Sequence, residues 1–251
     1  MLWPYQLLLN DLLKAYTLRY ANFIEGNSLL KTHLLQRAED IFVSAHIHDH
    51  ALYCRNNRLT THFRLDKEVA EDFDLLVEDV ESLGPHLSRK EDIIYNAGLM
   101  RLISGDYESA FDHFFSAEYS GGRALISAAS RTGMLVSKYL DGQTVDLNQI
   151  LEVYEYLVQN VDPSNKYHIT SIKLNLLLLA KKSGCDYLPM IEAFGDLFLD
   201  GTYDVRDSRR SNDYMASKLG IGKAFSSSQD GVKGQFVKKH DFAMPYFYIW
   251  S

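Results

Sequence analysis

One short punctuation returns along this chain at intervals of about 40 residues: IEGNSLL, FRLDKEV, ISGDYES, LDGQTVD and KSGCDYL. The anchors are Gly26, Leu65, Gly105, Gly142 and Gly184. Glycine ends a helix cheaply because it enters the left-handed conformation freely, and an Asn or Asp beside it caps the helix that follows. Between the anchors apolar residues recur at helical spacing, with few strand-like alternations. Pro4, Pro85, Pro163 and Pro189 mostly fall where a helix would start or stop. Each anchor therefore reads as the turn inside a helical hairpin, and hairpins repeated at this period stack so that each buries its apolar face on its neighbours. The expected class is all-α: an α-solenoid of about five hairpins over residues 1–200, then a tail over 201–251.

Composition narrows the function. With 251 residues, 46% hydrophobic and 24% charged, the chain can bury a substantial core, and disorder of the whole is excluded. Cys54 and Cys185 are far apart and form no paired-cysteine metal motif, which suits a reducing, cytoplasmic setting. The opening MLWPYQLLLNDLLKAY lacks a basic first region and a small-residue cleavage site, and Asp11 interrupts it, so no signal peptide is expected. Nor is there an uninterrupted apolar run of about 18 residues that would span a membrane. The net charge of -7 is uneven: residues 201–251 carry eight Lys/Arg against five Asp/Glu, so the preceding body is strongly acidic. Nucleic acid is a poor partner for such a body, because phosphate binding needs concentrated positive charge.

The third unit, YNAGLMRLISGDYESAFDHFFSAE, carries small Ala97 and Gly98 in its first helix, Gly105-Asp106-Tyr107 at the turn, and Ala110, Phe114 and Ala117 in its second. Small residues let two helices approach while the aromatic fills the space between them. This unit resembles a tetratricopeptide repeat (TPR). The first unit is a weaker match through Gly26, Leu35 and Ala38, and in the second Ala70 fits while Leu65 stands in place of the turn glycine. The resemblance implies a right-handed superhelix, with the first helix of each pair lining its concave surface.

Aligned at the turns, Asn56, Asn96 and Asn175 occupy one register, each followed by a leucine: Leu59, Leu99 and Leu178. Thr17 and Gly133 take that place in the other two units. An asparagine side chain has an acceptor and two donors, so it can bond both the carbonyl and the amide of an extended peptide, whatever that peptide's side chains are. Asn56, Asn96 and Asn175 are thus expected to grip a peptide main chain, with Arg55, Leu59, His62, Tyr95, Leu99 and Leu178 lining side-chain pockets. The competing reading is that these asparagines bond between neighbouring helices and bind nothing. The ladder is also similar to the groove of bacterial peptide-pheromone receptors, which implies a peptide-responsive regulator. Those receptors usually carry an N-terminal output domain; with the repeats expected to begin by about residue 10, output is expected from the solenoid itself, from a dimer surface or from a part of a longer natural chain.

Other motifs carry less. SAHIHDHALYC would place His46 and His50 on one face of a continuous helix, with Cys54 a turn further, but it falls between two units. KLGIGKAF lacks the spacing and the Ser/Thr of a phosphate-binding loop. The carboxylates from Glu68 to Glu81 read as a solvated helix face. No catalytic constellation stands out, so no enzyme, cofactor or metal is expected. Residues 203–243 read as mobile or extended, yet FAMPYFYIWS closes the chain with aromatics that need something to bury them. Three placements are open for that end: a cap on the last helices, the concave groove, or another subunit. The expected function is a non-enzymatic module binding a short peptide or a partner segment, with a homodimer left open. The alternative is a constitutive scaffold or chaperone-like adaptor.

Overall fold

The structure is a computed structural model that describes residues 3–24, 28–65, 67–84, 87–193, 206–221, 232–247 and 249. All its regular elements among these residues are helices: α1 (Trp3–Ile24), α2 (Ser28–Ser44), α3 (His48–Arg64), α4 (Ala70–Ser82), α5 (Lys90–Ser104), α6 (Tyr107–Tyr119), α7 (Ala124–Leu140), α8 (Leu147–Asn160), α9 (Lys166–Lys182), α10 (Leu188–Ala193), α11 (Arg206–Lys218) and α12 (Val232–His240). A one-turn 3-10 helix, Pro163–Asn165, leads into α9. From α1 to α9 each helix packs on the next, and α5 also touches α7, as α7 touches α9. None of the described helices is long and apolar enough to cross a membrane.

Three of the turns, at Gly105, Gly142 and Gly184, form where the sequence places them. Gly105 closes α5 at φ 91°, a conformation that side chains disfavour. Asp106 then caps α6 by accepting from the Ser109 amide. At α8 the side chain of Asp146 accepts from the Gln149 amide while Gln149 accepts from the Asp146 amide, a complete capping box. Gly142 and Gly184 adopt the same left-handed turn as Gly105. Gly26 lies outside the described residues.

Small residues set how closely the third and fourth units approach. A methyl group on Gly133 of α7 would sit 2.7 Å from the Phe114 ring, and one on Gly98 of α5 would sit 2.9 Å from it. Phe114 of α6 is thus wedged between two backbones, fully buried and 5.3 Å from the Tyr95 ring. The main core runs from α3 to the far end of the chain. A smaller cluster of Ala15, Leu35, Ala38, Phe42, Ala51 and Cys54 joins α1, α2 and α3.

Of the stretch 203–243, read from composition as mobile or extended, residues 203–205 and 222–231 lie outside the described residues, and the rest is largely helical. It contains α11, which packs on α9 and buries Tyr214, Met215 and Ala216, and α12, which buries Phe236 and Val237 while Lys238 and Lys239 face outward. Each helix has only a few apolar residues among many charged ones, too short a pattern to register as periodicity. From Asp241 the chain leaves helical structure and turns back along the molecule.

The wedge at Phe114 gives a direct check of this packing. Phe114→Ala is expected to lower the unfolding free energy by about 3–5 kcal/mol. Phe115→Ala, whose ring is 45% exposed on the same helix, should cost under about 1 kcal/mol in the same denaturant titration.

Candidate functional site: an asparagine-lined groove

The face shared by α3, α5 and α9 holds residues 241–247 and 249, and three asparagines hold this segment by its main chain. Asn175 accepts from the Ala243 amide at 3.0 Å and donates to the Ala243 carbonyl at 3.2 Å. Asn96 accepts from the Phe247 amide at 2.9 Å and donates to its carbonyl at 2.6 Å. Asn57 does the same to Ile249, at 2.8 and 2.9 Å. In an extended chain the amide and carbonyl of one residue point the same way, and residues two apart share a side, so residues 243, 247 and 249 can all present their main chain to one wall. All three asparagines are fully buried. Because each pairs with both a donor and an acceptor, the network itself fixes the orientation of its amide.

Asn96 and Asn175, read from sequence as peptide-binding, pair here with the chain's own segment; in the second unit the two-way pairing is made by Asn57, the neighbour of Asn56. The cause lies in how α3 ends. The bond that closes each helix end is donated by Asp106 to the Arg101 carbonyl, by Gln143 to Lys138 and by Cys185 to Ala180. In α3 its counterpart is donated by Lys67 to His62, so that unit's turn sits one residue later than Leu65 suggests. Counting back equally from Lys67, Asp106, Gln143 and Cys185 reaches Asn57, Asn96, Gly133 and Asn175. Asn56 is a brace: its Nδ2 bonds Asn57 Oδ1 and the Phe247 carbonyl, and its Oδ1 accepts from Asn96 at 2.9 Å.

The remaining expected residues divide. Tyr95 reaches the segment, donating its hydroxyl to the Pro245 carbonyl at 2.9 Å, and its ring meets Phe247 edge-on at 5.1 Å. Burial raises the Tyr95 hydroxyl well above its ordinary value, which keeps it a donor. Leu59, Leu99 and Leu178 are buried in the main core. Arg55 turns to Glu39 of α2 and Asp79 of α4, while His62 lies near Lys67, Arg58 and Asp72; both belong to the charged outer side.

The structure also supplies partners that the sequence did not single out. Ser171 donates to the Ala243 carbonyl, one turn from Asn175. Arg19, fully buried, donates to the Ile249 carbonyl and contacts His50 Nδ1. The His168 ring stacks on Phe247 with centroids 4.9 Å apart and planes 16° from parallel. Phe242 meets Tyr139 edge-on. Asp241, with φ 66°, turns the chain from α12 into the groove and is held by Lys182 at 2.8 Å, Lys218 at 3.4 Å and the Tyr214 hydroxyl at 3.0 Å. The histidine-rich stretch takes another role. His46 occupies a left-handed turn between α2 and α3, so it does not share a helix face with His50.

No family model, curated protein or solved structure matches the chain. The reading of the groove therefore rests on its own geometry. Neutral amides, hydroxyls, aromatic rings and the Arg19 guanidinium are arranged along the main chain of the segment.

His168 makes docking of the segment sensitive to pH. Burial, aided by the Arg123 guanidinium, lowers its pKa to about 4 from the usual 6.5. The charged form is disfavoured in the folded state, so this contribution to stability is complete above 6.5 and is lost progressively as the pH falls toward 4. Asp92, which pairs with Arg89 and Arg123, works in the opposite sense, because burial outweighs the two arginines and raises its pKa. A comparison with His168→Phe isolates the histidine, since phenylalanine preserves the stacking and does not titrate. The melting temperature of the native protein is expected to fall further between pH 7 and pH 5 than that of His168→Phe.

Proposed function

We propose that the chain is a non-enzymatic TPR-like solenoid whose concave groove binds a short extended peptide by its main chain. The carrying observation is the two-way pairing of Asn57, Asn96 and Asn175 with the amide and carbonyl of Ala243, Phe247 and Ile249. Such pairing is independent of side-chain identity, as a peptide receptor requires. The succession of helix pairs, with α5, α7 and α9 side by side, supports the right-handed superhelix implied by the resemblance of the third unit to tetratricopeptide repeats. Both cysteines are free thiols, which favours a cytoplasmic site of action.

The groove reading is preferred over a constitutive scaffold because Asn57, Asn96 and Asn175 each pair with a main-chain amide and carbonyl, while the one helix-to-helix bond among the asparagines runs from Asn96 to Asn56. The acidic face of α4 is already engaged in part, since Asp74 pairs with Arg101 and His113 and Asp79 with Arg55.

The test is selection from a random peptide library on the full chain and on Asn96→Ala/Asn175→Ala. The native chain should enrich an extended sequence that the folded double variant no longer holds. Enrichment that survives the double substitution would remove the groove from the account. Each substitution also strands a buried amide and carbonyl of the chain's own segment, at about 1–3 kcal/mol apiece, readable as a lower melting temperature.

A further inference from the structure

The groove is filled by the chain itself, and the way it is filled defines what else can enter. Residues 243, 247 and 249 are clamped by α9, α5 and α3, so the segment runs against the order of the helices. The intervening helix α7 has Gly133 where the others have asparagine, and there a side chain would strike Phe114. Stepping two residues per helix pair, the unclamped position is 245, and residue 245 is proline, the one residue with no amide to clamp. The missing rung of the ladder and the missing amide of the occupant thus coincide. The side chains facing inward at Phe242, Met244, Phe247 and Ile249 are all uncharged and buried. Polar contacts to Ala243, Pro245, Phe247 and Ile249 come from asparagine, serine, tyrosine and arginine side chains. A charged side chain at Phe242 or Ile249 would meet a cation, since Lys182 lies 5.9 Å from the Phe242 ring and Arg19 donates to the Ile249 carbonyl, whereas one at Met244 or Phe247 would be stripped of water.

Resting on the peptide-binding reading above, we infer that residues 241–249 are an exchangeable tethered ligand, displaced by a free peptide of the same class. That class is an extended peptide, uncharged at the places of Met244 and Phe247, aromatic or aliphatic at the inward positions and indifferent to a missing amide opposite Gly133. The tether holds its occupant through Asp241, which Lys182, Lys218 and Tyr214 grasp at the mouth of the groove. An attached ligand competes at the high effective concentration set by its linkage, so a free peptide binds with an affinity reduced by the fraction of open grooves. Exchange then acts as regulation: the groove answers only to a peptide that outcompetes its own segment.

The experiment uses the full chain and a labelled synthetic peptide DFAMPYFYI, the sequence of residues 241–249. Phe247→Asp in the chain should evict the tether and strengthen binding of this peptide at least tenfold over the native chain. N-methylation of the peptide at the position of Phe247 should abolish binding, while alanine at the position of Pro245 should change it by less than about threefold. Hydrogen exchange on the native chain provides a test that no folding defect can obscure. The amides of Ala243, Phe247 and Ile249 should exchange faster than the central amides of α5, through opening of the segment alone.

Exchange of those amides only on global unfolding would make the segment a fixed part of the core and overturn the proposal. So would a native dimer whose association is lost in Phe247→Asp, because the occupant would then be a second copy of this chain. If the folded Phe247→Asp chain ignores DFAMPYFYI yet selects other peptides through its asparagines, the exchange proposal fails and the peptide-binding reading stands. If it selects no peptide at all, both fail.

Discussion

Burying a main chain is costly unless its amides and carbonyls find partners, and in this protein that requirement is met by side-chain amides. Asn57, Asn96 and Asn175 each replace two hydrogen bonds that water would otherwise make to the segment. With those groups satisfied, Phe242, Phe247 and Ile249 can be withdrawn from solvent, each gaining about 1.5–3 kcal/mol of apolar burial. Polar pairing and apolar burial are therefore interdependent here. The asparagines would be costly orphans without a peptide in the groove, and the aromatic side chains would be exposed without the asparagines.

The sequence made the helical framework legible because the framework rests on local chemistry. Gly105 with Asp106, and Gly142 and Gly184 after their helices, mark turns through conformational freedom and capping, which need no knowledge of the rest of the fold. The anchor at Asn96 was legible for the same reason, since it sits at a set distance from its glycine. The second unit was misread by one residue because Leu65 is not the counterpart of the turn glycine, and only the bond from Lys67 to His62 reveals the later register. Helices α11 and α12 were missed because a few apolar residues in a charged stretch become a buried face only beside α9 or the main core.

The placement of the final segment was one of three that the sequence left open, and nothing local decides among them. It depends on partners such as Asn57 and Tyr95, remote in the chain from Ile249 and Pro245. His168 shows the same limit. Its stacking on Phe247 and the burial beside Arg123 that lowers its pKa to about 4 bring together residues that are far apart in the sequence. Residue type announced capacity at these positions, and tertiary contact assigned the role.

The direction in which the segment runs has a consequence for the birth of the molecule. Residues 243–249 are made after all of α3, α5 and α9, yet they are what Asn57, Asn96 and Asn175 pair with, across separations as great as 192 residues. During synthesis these asparagines face water or chance occupants, with the helices around them already packed. The groove thus has a vacant interval before its own last rung is available, longest for Asn57 and shortest for Asn175. Such long-range closure is slow by nature, because the loop must be ordered before the contacts repay it. For a nascent copy of this chain, that interval leaves Asn57, Asn96 and Asn175 without the main chain that they pair with in the finished molecule.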